Sequence, residues 1–409
     1  MPPIFPPVGG GSEVIFAVGP QSLQVEAITK KTLEDVFFLR HVGRKLNYIR
    51  PKYERLLHPI FLDHFGKLKL PIMARVTPTL AIVVLSLSTI GTHLSGGPMY
   101  NKYTYFIDRL CSYTWWAHLL HISNCVGFPL LCSGPSWYLA ADFQMFVLSP
   151  LLLLPLFHQP KLGLLLLAGV YLVSTVVKTA DAIIKQIHPD VFLSEGPRGD
   201  RRLSTAHMNT IYRAATFAIG LAVGYLILEV RSGKMKVNLS KPVVWLCWLL
   251  SLSFLVTTLW FSTLFIRPSY EDTPWLSAVY LGLIQRLWVL GAAWIVLACT
   301  MGYGGWLGKM LSWSGFVPLS RLSFGIYLFH MNIQSHHVFR MRQPFNMDAF
   351  DIVFHCVGDY VMSAGLATVL YLTVEAPCSR VINHLLWPTS QYARRAETPG
   401  DHQEKKKNT

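Results

Sequence analysis

Long apolar runs separated by short charged segments set the pattern of this chain. A helix that crosses a bilayer needs roughly 20 mostly apolar residues. Eight stretches have that character: Thr77–His93, Trp137–Phe157, Leu162–Val177, Thr210–Val230, Pro242–Phe261, Leu276–Met301, Leu319–Phe339 and Phe350–Val374. They predict an all-α polytopic membrane bundle of about eight spans. Residues 1–31 are rich in Pro and Gly and lack the basic and apolar regions of a signal peptide; residues 40–70 are basic and polar. The pattern thus divides the chain into an N-terminal cytoplasmic segment (1–70), a transmembrane domain (71–387) and a basic, disordered tail (388–409).

Composition sharpens this. Apolar residues make up 52% of the chain and charged residues 14%, against about 25% charged in soluble proteins. The shortage of charge excludes a disordered chain and gives no reason to expect a nucleic-acid partner. The 7 Cys form no C-x-x-C pair and H-E-x-x-H is absent, so no metal site is predicted.

The net charge of +14 reads as topogenic charge. With the N-terminus cytoplasmic, 23 of the 36 Lys and Arg fall in cytoplasmic segments and 10 on the other side. Both termini are therefore predicted cytoplasmic. Leu94–Ser136 then becomes a loop on the opposite side, carrying Tyr100, Tyr103, Tyr105, Tyr113, Trp115 and Trp116, residue types that favour membrane interfaces. It also holds Cys111, Cys125 and Cys132. Thiols on an oxidising side pair, and the two cysteines flanking the loop, Cys111 and Cys132, are the predicted disulfide. Three free thiols are the alternative.

An ionisable group inside a bilayer costs roughly 2.5–3.5 kcal/mol on insertion scales, so each one needs a reason. Arg213 shares a helix face with Phe217, Gly220 and Gly224; it either points into the bundle or snorkels to the interface. Arg286 lies deeper, on a face with Gly282 and Ala293, and reads as an interior group. Tyr138, Asp142 and Ser149 form one polar stripe, with Gln144 off it. Ser323, Tyr327, His330 and Gln334 form a second, which reads as a cavity lining.

Several of these residues sit in longer motifs. Trp115-Trp116 is followed by Trp137-Tyr138-Leu139-Ala140 with Asp142 and Gln144. Further on come Gly302-Tyr303-Gly304-Gly305, Leu311-Ser312-Trp313, Pro318-Leu319-Ser320-Arg321-Leu322-Ser323, Tyr327-Leu328-Phe329-His330 and Glu375-Ala376-Pro377. This series resembles the nose-resistant-to-fluoxetine-like family, within the acyltransferase-3 superfamily of integral membrane acyltransferases, over roughly Lys69 to Trp387. The resemblance implies about ten spans and transfer of an acyl group from a cytoplasmic thioester to a hydroxyl or similar acceptor. It also implies a His general base on the first span and an R-x-x-R-L-x-P pattern opening the third.

Here the chain departs from the pattern. Arg75-Val76-Thr77-Pro78 matches the second Arg, but Ile72 stands where the first would be. Asp35-Val36-Phe37-Phe38-Leu39 resembles a remnant of the second span and runs into Arg40-His41-Val42-Gly43-Arg44. This reads as a truncated or mis-joined product, with impaired catalysis expected.

Acyl transfer needs a base for the acceptor, donors for the developing oxyanion and positive charge for a polyanionic donor. The candidate catalytic residues are His330 and Asp142. The candidate substrate-binding residues are Arg75, Arg213, Arg286, Tyr327 and Gln144. No bound cofactor is expected; acyl-CoA is the expected co-substrate, with a lipid or small-molecule acceptor and membrane lipids as partners. The location is an integral, multi-pass one, in the plasma membrane or an endomembrane. Two other readings use the same polar residues: a transporter for lipids or small molecules, weakened by the lack of paired interrupted helices, and a catalytically inactive family member.

Overall fold

The computed structural model describes residues 76–386, apart from 95, 128–129, 188, 190–206, 267–272 and 343–347. Arg75, Ile72 and the segments 1–70 and 388–409 lie outside the described residues. Helix α1 is Val76–Ser88, followed by a single turn at Gly91–His93. Next come α2 (Pro98–Leu119), α3 (Ser123–Val126), α4 (Ser136–His158), α5 (Pro160–Ile184), α6 (Thr210–Arg231) and α7 (Lys241–Ile266). Helix α8 is Pro274–Thr300, with a π turn at Tyr280–Ile284. Then follow α9 (Gly305–Leu311), α10 (Phe316–Phe339) and α11, which runs as Ala349–Leu370, a π turn Tyr371–Glu375 and Ala376–Leu386. Among the described residues there is no strand.

Among the described residues, six helices, α4 to α8 and α11, are long and apolar enough to cross a membrane. Their outer faces show what surrounds them. On α7, Trp245, Leu246, Leu249, Leu252, Val256 and Trp260 are all exposed, and on α11 so are Val353, Phe354, Val357 and Val361. Apolar surface on this scale is stable in lipid, not in water. The protein is an integral membrane protein.

The two remaining expected spans differ from the sequence reading. Helix α1 is shorter than a full span, and α10, at 24 residues, carries Arg321, His330, Asn332, His336 and His337. Both bury one face in the bundle: Leu80, Val83, Val84 and Leu87 of α1 pack with Leu139 of α4, Leu328 of α10 and Leu370 of α11. The opposite faces are exposed, with Ile82 and Leu85 on α1 and Val317, Met331 and Val338 on α10.

Two boundaries are also corrected. Helix α5 continues past Val177 through Lys178 and Asp181, because both groups find partners there. The Leu94–Ser136 region is no open loop: Pro98 sits in the first turn of α2, where its missing N–H costs nothing, and α2 runs for 22 residues. A bond between Cys111 and Cys132 ties α2 to the start of α4, with Cα atoms 4.6 Å apart. This side of the bundle, the disulfide end, contains the starts of α4, α6 and α8 and the ends of α5 and α10.

Candidate functional site

The polar side chains that sequence spacing placed on separate helices converge at the disulfide end. Tyr327 of α10 donates its hydroxyl to the Pro135 carbonyl at 2.9 Å, at the entry to α4. Its ring meets Tyr138 edge-on at 5.8 Å. One turn along α10, the His330 ring lies 5.6 Å from that of Tyr327. His330 Nδ1 bonds the Tyr327 carbonyl at 2.7 Å. A carbonyl only accepts, so Nδ1 carries the proton and Nε2 keeps its lone pair. Asp142, one turn below Tyr138, acts electrostatically on both Tyr327 and Arg213.

Arg213 of α6 resolves the choice between interior and interface. Its guanidinium lies over the Trp137 ring, 5.2 Å from the centroid. Nη2 and Nε donate to the His207 carbonyl at 3.0 and 3.2 Å. Nη2 also reaches His207 Nδ1 at 3.4 Å; Arg has no acceptor, so Nδ1 of His207 is unprotonated. His207 precedes α6, and its ring packs on Trp137 at 4.8 Å. Burial first, then the charges of Arg213 and Lys178, hold its imidazole well below the ordinary range. The Arg213 side chain therefore points into the bundle.

Gln144 belongs to a neighbouring network. Its Nε2 donates to Asn124 Oδ1 at 2.8 Å and to the His121 carbonyl at 3.1 Å. Its Oε1 accepts from Thr210 Oγ1 at 2.6 Å, and Asn124 Nδ2 donates to the same Thr210 oxygen at 2.7 Å. Both ends of Gln144 are thus occupied by protein, joining α3, α4 and α6. His121 holds a left-handed backbone, φ 55°, uncommon outside glycine, and its Nε2 meets Thr77 Oγ1 of α1 at 3.1 Å. Asn209 caps α6, accepting from the Ile211 N–H at 2.9 Å.

Arg286 follows the π turn of α8, a feature common at functional sites. It is buried, with Nη2 donating to the Tyr212 carbonyl at 2.8 Å and Nη1 reaching Thr216 Oγ1 at 3.5 Å. The sequence reading missed Lys178 beside it. Lys178 is buried on α5, and its Nζ donates to Gln285 Oε1 at 2.7 Å. Asp181, one turn further, takes the Tyr212 hydroxyl and the Lys185 ammonium, the latter at 2.9 Å. The close approach of α5 and α8 requires glycine at 282, where a Cβ would lie 1.8 Å from Thr179 Oγ1. Glu375 was also missed. It is buried within the second π turn, next to Val374, which packs against the core formed by Leu80, Leu139 and Leu328. Ending each span at its first charge concealed both; the π turns have no sequence signature.

The structure therefore gathers Asp142, Tyr327, His330, Arg213 and Arg286 at one end, with Gln144 in the adjoining scaffold and Arg75 outside the described residues. Ser149 stays apart, bonding the Phe146 carbonyl of its own helix.

Comparison with known proteins follows the same lines. The acyltransferase domain of the acyltransferase-3 family matches residues 47–349. The chain is 29% identical over 323 residues to the nose resistant to fluoxetine protein 6 of Caenorhabditis elegans, covering 75% of this chain and 38% of that protein. It is 24% identical over 363 residues to the regulator of hypoxia-inducible factor 1 of the same organism, covering 82% of this chain and 65% of that one. The chain thus spans less than two thirds of either relative. No solved structure matches.

Proposed function

Because this chain belongs to the acyltransferase-3 family of membrane acyltransferases, we propose that it transfers an acyl group from acyl-CoA to a hydroxyl acceptor at the disulfide-end cluster. The observation that carries this reading is the tautomer of His330. Its Nδ1 proton is committed to the Tyr327 carbonyl, so Nε2 is the atom free to take a proton from an acceptor hydroxyl. Asp142 lies within electrostatic reach of Tyr327 and Arg213 and favours positive charge developing nearby. The positive charge of Arg213, within electrostatic reach of Tyr327, favours negative charge developing on the reacting carbonyl oxygen. Gln144 acts through Asn124 and Thr210, fixing α4 against α6 rather than touching the reacting atoms. Arg75 serves the donor.

Turnover in this form is reduced. Ile72 stands where the family resemblance places an Arg, and an apolar side chain offers a phosphate neither charge nor a bidentate fork. The test uses the purified protein in lipid with labelled acyl-CoA and a panel of lipid and sugar acceptors. Weak transfer is expected, increasing roughly ten-fold in Ile72→Arg, a gain consistent with one charge-assisted contact. His330→Ala should lower it by about 10²-fold or more, and Asp142→Asn should lower it too. Transfer unaffected by His330→Ala removes His330 as the base. Robust wild-type turnover insensitive to Ile72→Arg removes the impairment.

A further inference from the structure

Three basic side chains lie together inside the bundle, on three different helices: Lys178 on α5, Arg213 on α6 and Arg286 on α8. Lys178 and Arg286 are 8% and 4% exposed, and each of the three lies within the electrostatic field of the other two. Their hydrogen bonds go to neutral groups: Gln285 Oε1, the His207 and Tyr212 carbonyls, and Thr216 Oγ1. Among the described residues none of the three forms an ion pair with a carboxylate. Asp142 acts on Arg213 only through its field, and Asp181 is already engaged by Tyr212 and Lys185. The buried Nε of Arg286 has no hydrogen-bond partner among the described residues. A buried cation without a counterion is costly, and two more cations beside it raise the cost. A buried donor left unmade adds its own desolvation penalty.

We propose that Lys178, Arg213 and Arg286 form a binding site for one phosphate group, carried by the molecule that enters the cluster from the disulfide end. Three neighbouring cations and an unused guanidinium N–H suit the several acceptor oxygens of a phosphate. A phospholipid headgroup and a soluble phosphate ester share the recognised chemistry. That the phosphate belongs to the acyl acceptor rests on the acyl-transfer reading. The binding itself does not, and is measured without turnover.

The experiment follows thermal unfolding of the full chain in neutral detergent, titrated separately with phosphatidic acid, inorganic phosphate, coenzyme A and diacylglycerol, which has the chains without the phosphate. A saturable rise in melting temperature is expected with phosphatidic acid or inorganic phosphate and none with diacylglycerol. A response to phosphatidic acid alone identifies a lipid source; a response to both identifies recognition of the phosphate itself. Lys178→Met and Arg286→Met should each weaken that binding roughly ten- to hundred-fold, as expected for one charge-assisted contact. The ligand-free Lys178→Met protein should melt no lower than wild type, because the repulsion within the cluster is relieved. The proposal is overturned if none of the phosphate probes shifts the transition, if the shift is the same in both variants, or if coenzyme A alone produces it.

Discussion

His118 shows how one side chain ties local chemistry to the stability of the disulfide end. It sits on α2 at 1% exposure, outside the spans. Its Nε2 accepts the Cys132 N–H at 3.2 Å and its Nδ1 donates to Ser136 Oγ at 2.7 Å. That pair of bonds fits only the neutral ring, and burial pushes its pKa down to about 4 from the ordinary 6.5. Between those two values the unfolded chain holds a proton that the folded chain lacks. Stability therefore rises with pH across the window, and is lost as pH falls from about 6.5 towards 4, by on the order of 3 kcal/mol. Thermal unfolding at pH 7 and pH 4.5 should show the acid-side loss, and His118→Gln should flatten it. A transition with the same pH dependence in both proteins contradicts this account. Ser136 relays the contact further, donating to the Ser133 carbonyl at 2.7 Å, so the loop that carries Cys132 and the first residue of α4 are held by the same ring.

At the scale of elements, much was legible because a bilayer demands long apolar runs. Helices α4 to α7 followed from runs of roughly 20 apolar residues, and the stripe Tyr327–His330 from helical spacing. What was hidden depended on partners distant in sequence. Lys178 and Asp181 look like the end of a span until Gln285 and Tyr212 are seen beside them. Aromatic residues of α2 read as an interfacial loop because its inner face, with Tyr100 and His118 fully buried, is recognisable only once α10 and α4 are in place. The Cys111–Cys132 bond is what holds α2 there. It closes a loop with a sequence separation of 21, which the chain-entropy relation values at about 3 kcal/mol. Reductant, or Cys132→Ser, should lower the unfolding transition accordingly, and mass spectrometry after alkylation without reductant should leave both thiols unmodified. Labelling of Cys111 and Cys132 in the untreated protein would remove the bond from the argument.

For the molecule as a whole, the bundle has two chemically different ends, and orientation decides which compartment each faces. The disulfide end needs an oxidising compartment, and it also holds the free Cys125, which is exposed. The opposite end presents Lys161, Arg231, Lys234, Lys236, Lys241 and Lys309 at helix termini and connections, the kind of charge that is retained on the cytoplasmic side. Both terminal segments are basic as well. Thiol chemistry and charge bias together predict one orientation: both termini in the cytoplasm, with the His330 and Arg213 cluster opening away from it. This orientation also suits the proposed reaction, since donor and acceptor approach from opposite faces and the acyl group crosses between them. In sealed right-side-out vesicles, tags at either terminus should resist added protease. Cys125 should react with a membrane-impermeant maleimide, and Cys125→Ser should abolish that labelling. Digestion of the C-terminal tag in intact vesicles, with Cys125 protected, would reverse the bundle and bring the disulfide end to the cytoplasm.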